Sequence, residues 1–216
     1  VKQIGVNNGG LYVLNNALAT AITPVSTTVP AISADFIFVS STVFQIPASQ
    51  TLTLSDSSPF SGNSLGDIRV YGSLLKTGGF SSINSTTISV LEGGIMTAST
   101  TVNLGNGGTL KLTTSSIFSG AVTNFNSSGT LHIYSTAAIS STINFSINNG
   151  TTTFFTFTPS SPFYLSNLTI NSGAAITNSG NGSSQDHVVN ISAAGGITIN
   201  SGGRLNTNGS GYAGGA

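Results

Sequence analysis

Thr101-Val-Asn-Leu-Gly-Asn-Gly-Gly-Thr-Leu-Lys-Leu112 holds two short strands joined by a glycine turn. Val102 and Leu104 flank the polar Asn103, and Leu110 and Leu112 flank Lys111. Alternation with period two marks a strand with one buried face. The phrase returns as Val122 to Phe125, Ser128-Gly129 and Leu131-His132-Ile133. Ile143-Asn144-Phe145, Asn149-Gly150 and Phe155-Thr156-Phe157 repeat it, as do Leu168-Thr169-Ile170, Ser172-Gly173 and Ile176. A last copy runs Val189-Asn190-Ile191, Gly195-Gly196, Ile197-Thr198-Ile199 and Arg204-Leu205. The turn glycines Gly108, Gly129, Gly150, Gly173 and Gly196 are 21, 21, 23 and 23 residues apart. A period in the low twenties marks stacked units, none of which buries its own apolar face.

This reading predicts an all-β chain, a parallel β-helix with rungs of about 21–23 residues. The polar residue of each pair faces solvent and its neighbours line a narrow interior. Leu104, Phe125, Phe145, Ile170 and Ile191 form one expected interior column, and Leu112, Ile133, Phe157 and Ile199 another. Upstream, Ile68-Arg69-Val70 precedes Gly72, and Ile88-Ser89-Val90 precedes Gly93-Gly94. Gly72 to Gly94 is 22 residues, but Gly94 to Gly108 is only 14. Either one rung is abbreviated or these glycines occupy different corners.

Residues 1–60 follow the period poorly and read as an N-terminal capping region with irregular strands. Leu11, Leu14, Leu18 and Ile22 form a helical stripe that ends before Pro24, while Tyr12 and Val13 favour a strand. Phe36 to Val39, Val43 to Ile46 and Thr51 to Leu54 read as strands, and Ser55 to Gly66 as a loop. Residues 61–210 form the expected β-helix, and 211–216 a glycine-rich tail of a longer chain.

Charged residues make up 5% of the 216-residue chain and the net charge is zero, so the footprint of a nucleic-acid binder is missing. Cysteine is absent, so disulfides are not its staples. No apolar run approaches the ~18 residues of a membrane span. No cofactor is expected.

The phrases Thr101 to Leu112 and Ala194-Gly-Gly-Ile-Thr-Ile-Asn-Ser-Gly-Gly-Arg-Leu205 resemble rungs of secreted parallel β-helix surface proteins, such as autotransporter passengers and filamentous adhesins. The resemblance covers about residues 67 to 210 through a degenerate repeat. It implies a right-handed β-helix at the cell surface, serving adhesion or structure, and carries over no catalytic residue.

The acids Asp35, Asp56, Asp67, Glu92 and Asp186 are scattered, which argues against the clustered carboxylates of a glycan-cleaving β-helix. Ser183-Ser184-Gln185-Asp186-His187 holds hydrolase residue types without triad spacing or a nucleophile elbow. His132 is expected to face outward, and two lone histidines do not make a metal site. Thr151-Thr152-Thr153 with Thr156 and Thr158 does not read as the regular array that ice binding needs. Of the Asn-x-Ser/Thr triplets, Asn84, Asn126, Asn149 and Asn181 fall in loops and are the candidate N-glycosylation sites.

The leading expectation is a non-enzymatic extracellular structural or adhesive module, a surface-filament or sheath subunit that stacks end to end. Its partners would be copies of itself, neighbouring modules of the same polypeptide, or glycans. A carbohydrate-binding or carbohydrate-cleaving β-helix is the alternative, with Tyr71, Tyr134 and Tyr164 along one groove. A third reading is a β-sandwich, pilin-like subunit assembled by donating residues 1–20 as a strand.

Overall fold

A computed structural model describes residues 10–14, 22–24, 31–34, 36–40, 42–54, 61–62, 66–76, 80–82, 86–98, 101–105, 107–119, 124–134, 137–139, 143–155, 162–181 and 187–207. Among them there is no helix, and every strand pairing is parallel. The chain is a parallel β-solenoid, and among the described residues its first six rungs each show strands on three faces. One rung visits them in turn as Thr101–Leu104, Thr109–Leu112 and Ile117–Ser119.

The second face is one continuous sheet of nine strands. In order they are Ile22–Pro24, Val43–Ile46, Asp67–Val70, Thr87–Val90, Thr109–Leu112, Thr130–Tyr134, Thr151–Phe155, Ala175–Asn178 and Arg204–Asn206. At about 4.8 Å per step this sheet is on the order of 38 Å long. The first face is built from two sheets, Gly10–Leu14 to Ser61–Gly62 and Phe80–Ser82 to Ile191–Ile199. Six strands from Ala31–Ala34 to Ala138–Ile139 make the third face.

The facing antiparallel sheets of the alternative, pilin-like sandwich are not what the chain forms, because every described strand pairing is parallel. Gly10–Leu14 pairs along its length with Phe36–Ser40 of the same chain. Residues 11–14, open between helix and strand in the sequence, are strand, as are 22–24. The strands within residues 1–60 join the same sheets as those beyond, so in-register stacking begins upstream of residue 61.

Alternation places the core. On the second face Phe44, Ile68, Ile88, Leu110 and Leu131 share one buried column, and Ile46, Val70, Val90, Leu112 and Ile133 share another. Leu52, Leu74, Met96 and Phe118 fill the third face, and Val102, Phe145 and Leu168 the first. Full burial of each such side chain contributes roughly 1.5–3 kcal/mol, which is how a chain so poor in charge holds together.

Register corrects the expected columns. Leu104 lies over Ser127, Ile147, Ile170 and Ile199, whereas Phe125 lies over Val102, Phe145, Leu168 and Ile197. Ile191 pairs with Phe163. Leu112 and Ile133 continue to Phe154, while Phe157 lies outside the described residues. A shift of two residues keeps every side chain on its side of the sheet, so alternation cannot detect it.

The 14-residue step also resolves. Gly94 closes a turn from Leu91 between the second and third faces. Gly108 closes a turn from Gly105 between the first and second. The corner containing Gly108 continues through Gly129, Gly150, Ala174 and Gly203, the residues just before the strands of the second face. Gly196 instead lies inside a strand, opposite Asn167. At Gly129 and Gly150 a Cβ would collide with the backbone oxygen of the same corner one rung below, so close stacking requires glycine there.

Candidate functional site

Two surfaces carry side chains that a plain solenoid does not need. The first is the outer side of the nine-stranded sheet, where three outward columns run along the solenoid. Asp67, Thr87, Thr109 and Thr130 align in one, and Thr151 is next in register. Arg69, Ser89, Lys111 and His132 align in the next. Tyr71, Leu91 and Thr113 follow at the edge, each donating its backbone N–H to the rung below in the same way, and Tyr134 completes this column.

Asp67 Oδ2 accepts a 2.9 Å hydrogen bond from Arg69 Nε, an ion pair at the solvent boundary. Ser89 Oγ approaches the other carboxylate oxygen at 3.5 Å. Lys111 makes no ion pair among the described residues. Its neighbour one rung on is His132, whose pKa is lowered from 6.5 by burial and then by the charge of Lys111. His132 faces outward, as alternation requires, and is half-buried.

The threonines line up better than the sequence suggested, with Thr87, Thr109 and Thr130 in one column. The column beside it holds Arg69, Lys111 and His132, so no paired threonine array forms there. Tyr71, 38% exposed, and Tyr134 share an edge three rungs apart, about 14 Å at the spacing of a sheet. Tyr164, 57% exposed, belongs to the first face and does not join them.

The second surface is the last rung. Ile197, Ile199 and Leu205 occupy the inward positions above Leu168, Ile170 and Ile176. They are nevertheless 51%, 50% and 51% exposed. With Leu168, Ile170, Val189 and Ile191 they line an apolar hollow of about 130 Å³. At the other end of the solenoid Val13, in the first rung, is 5% exposed.

Asparagine ladders brace the first face. Asn126 Nδ2 donates to Asn103 Oδ1 at 2.8 Å, and Asn167 Nδ2 to Asn144 Oδ1 at 2.7 Å. A longer ladder climbs the corner, where Asn171 Nδ2 donates to Asn148 at 2.8 Å and Asn200 Nδ2 to Asn171 at 2.6 Å. Sequence reasoning did not point to these ladders, although a 23-residue spacing in three of the four bonds, with 29 from Asn171 to Asn200, is legible once the register is known.

The glycosylation candidates divide. Asn126 sits in a ladder, and the attachment nitrogen is its donor. Asn149 is exposed at a corner. Asn181 is bonded to the backbone just before the last rung, with Nδ2 donating to His187 O at 3.0 Å and Oδ1 accepting from His187 N at 2.6 Å. Asn84 lies outside the described residues, as do Asp35, Asp56, Asp186 and Ser183 to Gln185. Glu92 is exposed in the turn between the second and third faces.

Among the described residues no three His, Cys, Asp or Glu side chains gather, and no helix is long and apolar enough to cross a membrane. Comparison of the chain with family models, with curated proteins and with solved structures finds no match.

Proposed function

We propose that this chain is a non-enzymatic extracellular structural or adhesive module that continues end to end through its last rung, as part of a surface filament or sheath. The observation that supports this reading is the exposed interior of that rung. Ile197, Ile199 and Leu205 stand in the inward positions above the buried Leu168, Ile170 and Ile176, and each is about half exposed. The strands Ile191–Ile199 and Arg204–Asn206 are the outermost of their sheets among the described residues, so each holds a sheet edge there. Such an edge is a template for another strand. A further rung, from a second copy or an adjoining module, would bury the three side chains and extend both sheets in parallel. The uncharged Ser, Thr and Asn surface and the resemblance to secreted surface β-helices agree with an extracellular, scaffolding role.

Sedimentation and negative-stain microscopy of the purified chain test this. Rods that lengthen with concentration are expected, and Ile197→Asp with Ile199→Asp should return them to single particles. Single particles at every concentration, for the parent chain and the variant alike, would remove the end-to-end reading.

A further inference from the structure

Charge is scarce in this chain, and the fold collects it. Of five lysines and arginines, Lys2 lies outside the described residues and Lys76 is buried. The other three, Arg69, Lys111 and Arg204, all leave the molecule from the outer side of the nine-stranded sheet. His132 leaves from the same side. The described strands of the other two faces contain no charged residue except the buried Lys76. The positions responsible are far apart in sequence, and only the register of the rungs makes one basic surface of them.

Among the described residues three cations stand against one carboxylate on this face, Asp67, which is already paired with Arg69. Glu92 lies in the turn that leaves the face. Arg69 and Lys111 share a column two rungs apart, about 10 Å along the axis. Threonine hydroxyls run beside them on one flank, and Tyr71 and Tyr134 stand on the other. Cations attract an anion from a distance and hydroxyls exchange hydrogen bonds with a polyol. A tyrosine ring offers an apolar face with a polar tip.

We propose that the outer face of the nine-stranded sheet binds an extended acidic polysaccharide laid along the solenoid axis. Columns that repeat at one rung spacing match a linear polymer that repeats along its own length. A neutral glycan leaves Lys111 with nothing to pair, and a nucleic acid calls for a denser field than two surplus charges supply. The shared chemistry is a carboxylated or sulfated sugar chain. This deepens the adhesive part of the proposed function and does not depend on end-to-end assembly.

The test is fluorescence anisotropy on the full chain with labelled polygalacturonate, dextran sulfate, neutral dextran and a single-stranded oligonucleotide. Light scattering of the same samples reads assembly separately. Binding to at least one of the two acidic glycans is expected, and which of them binds distinguishes carboxylate from sulfate. It should weaken several-fold between about 50 and about 300 mM salt. Lys111→Gln should weaken it about tenfold, as loss of a charged hydrogen-bond partner does. Lys111→Arg should retain most of it, and Tyr71→Ala should weaken it on its own. Circular dichroism checks that each variant is folded, and Arg204→Gln gives a second charge deletion if Lys111→Gln is not. The proposal is overturned if neither acidic glycan binds, or if neutral dextran or the oligonucleotide binds as tightly. A folded charge-deletion variant that binds like the parent also overturns it.

Discussion

The rung that contains Val102 and Leu112 and the rung that ends at Asn206 are written in nearly the same words, yet they meet different surroundings. In the first, Val102, Leu104, Leu110 and Leu112 are buried. In the second, Ile197, Ile199 and Leu205 point the same way and are half exposed. The local structure is the same in both: a parallel strand, a four-residue corner with a left-handed third residue (Gly107 or Gly202), and a second strand. What differs is whether another described rung lies on top. In a solenoid, burial is a property of the neighbour, so the same side chain contributes stability in the middle and stickiness at the end.

The largest expected contrast comes from truncating an interior position in each rung. Leu110→Ala should cost about 2–5 kcal/mol in a urea titration, because both neighbouring rungs pack on that column. Leu205→Ala, open on one side, should cost less than about 1.5 kcal/mol. Equal losses would mean that the end rung is covered in solution.

Corners give the next contrast. Gly129→Ala drives a Cβ into the Gly108 carbonyl oxygen and should cost about 1–3 kcal/mol. Gly180→Ala, with open space around it, should leave the thermal midpoint nearly unchanged. The asparagine ladder gives a smaller one. Asn171 both donates to Asn148 and accepts from Asn200, so Asn171→Ala should cost about 1 kcal/mol. Asn200→Ala removes only the outermost bond and should cost about half as much, as judged by denaturant midpoints.

The smallest effect is a pH dependence confined to the middle of the molecule. His132 has its folded-state pKa below 6.5, through burial and the charge of Lys111. Below pH 6.5 the unfolded chain therefore takes up a proton on this residue that the folded chain resists. Stability from this source is fully present above that pH, falls as pH drops, and levels off once the folded histidine also titrates. Unfolding midpoints measured from about pH 7.5 to about pH 5 should shift less in His132→Gln than in the parent. Identical slopes would show that His132 is not the group responsible.

Much of the fold is legible in the amino-acid order. Alternation at Leu110-Lys111-Leu112 and Leu131-His132-Ile133 reports which side of a strand is buried, and the spacing of Gly108, Gly129 and Gly150 reports the rung length. The third face is harder to see. Ile95–Thr97, Ile117–Ser119 and Ala138–Ile139 are only two or three residues long, too short to display a period. Gly173 and Gly196 mislead because a strand glycine and a turn glycine look alike in sequence, although Gly173 sits in a left-handed turn and Gly196 opposite Asn167. Of the candidate aromatics, Tyr71 and Tyr134 fall together, and Tyr164 parts from them because its strand belongs to another face.

Sequence alone pointed to stacked rungs around an apolar interior, since alternation and period are local facts carried by each segment, and the parallel pairings of the structure removed the sandwich alternative. Register was decided only in three dimensions. A two-residue slide costs nothing in alternation, and the winning alignment is the one that packs every rung on its neighbour at once. That alignment brought Arg69, Lys111 and His132, from three separate rungs, into one column, and set Ile197, Ile199 and Leu205 at inward positions where they are half exposed.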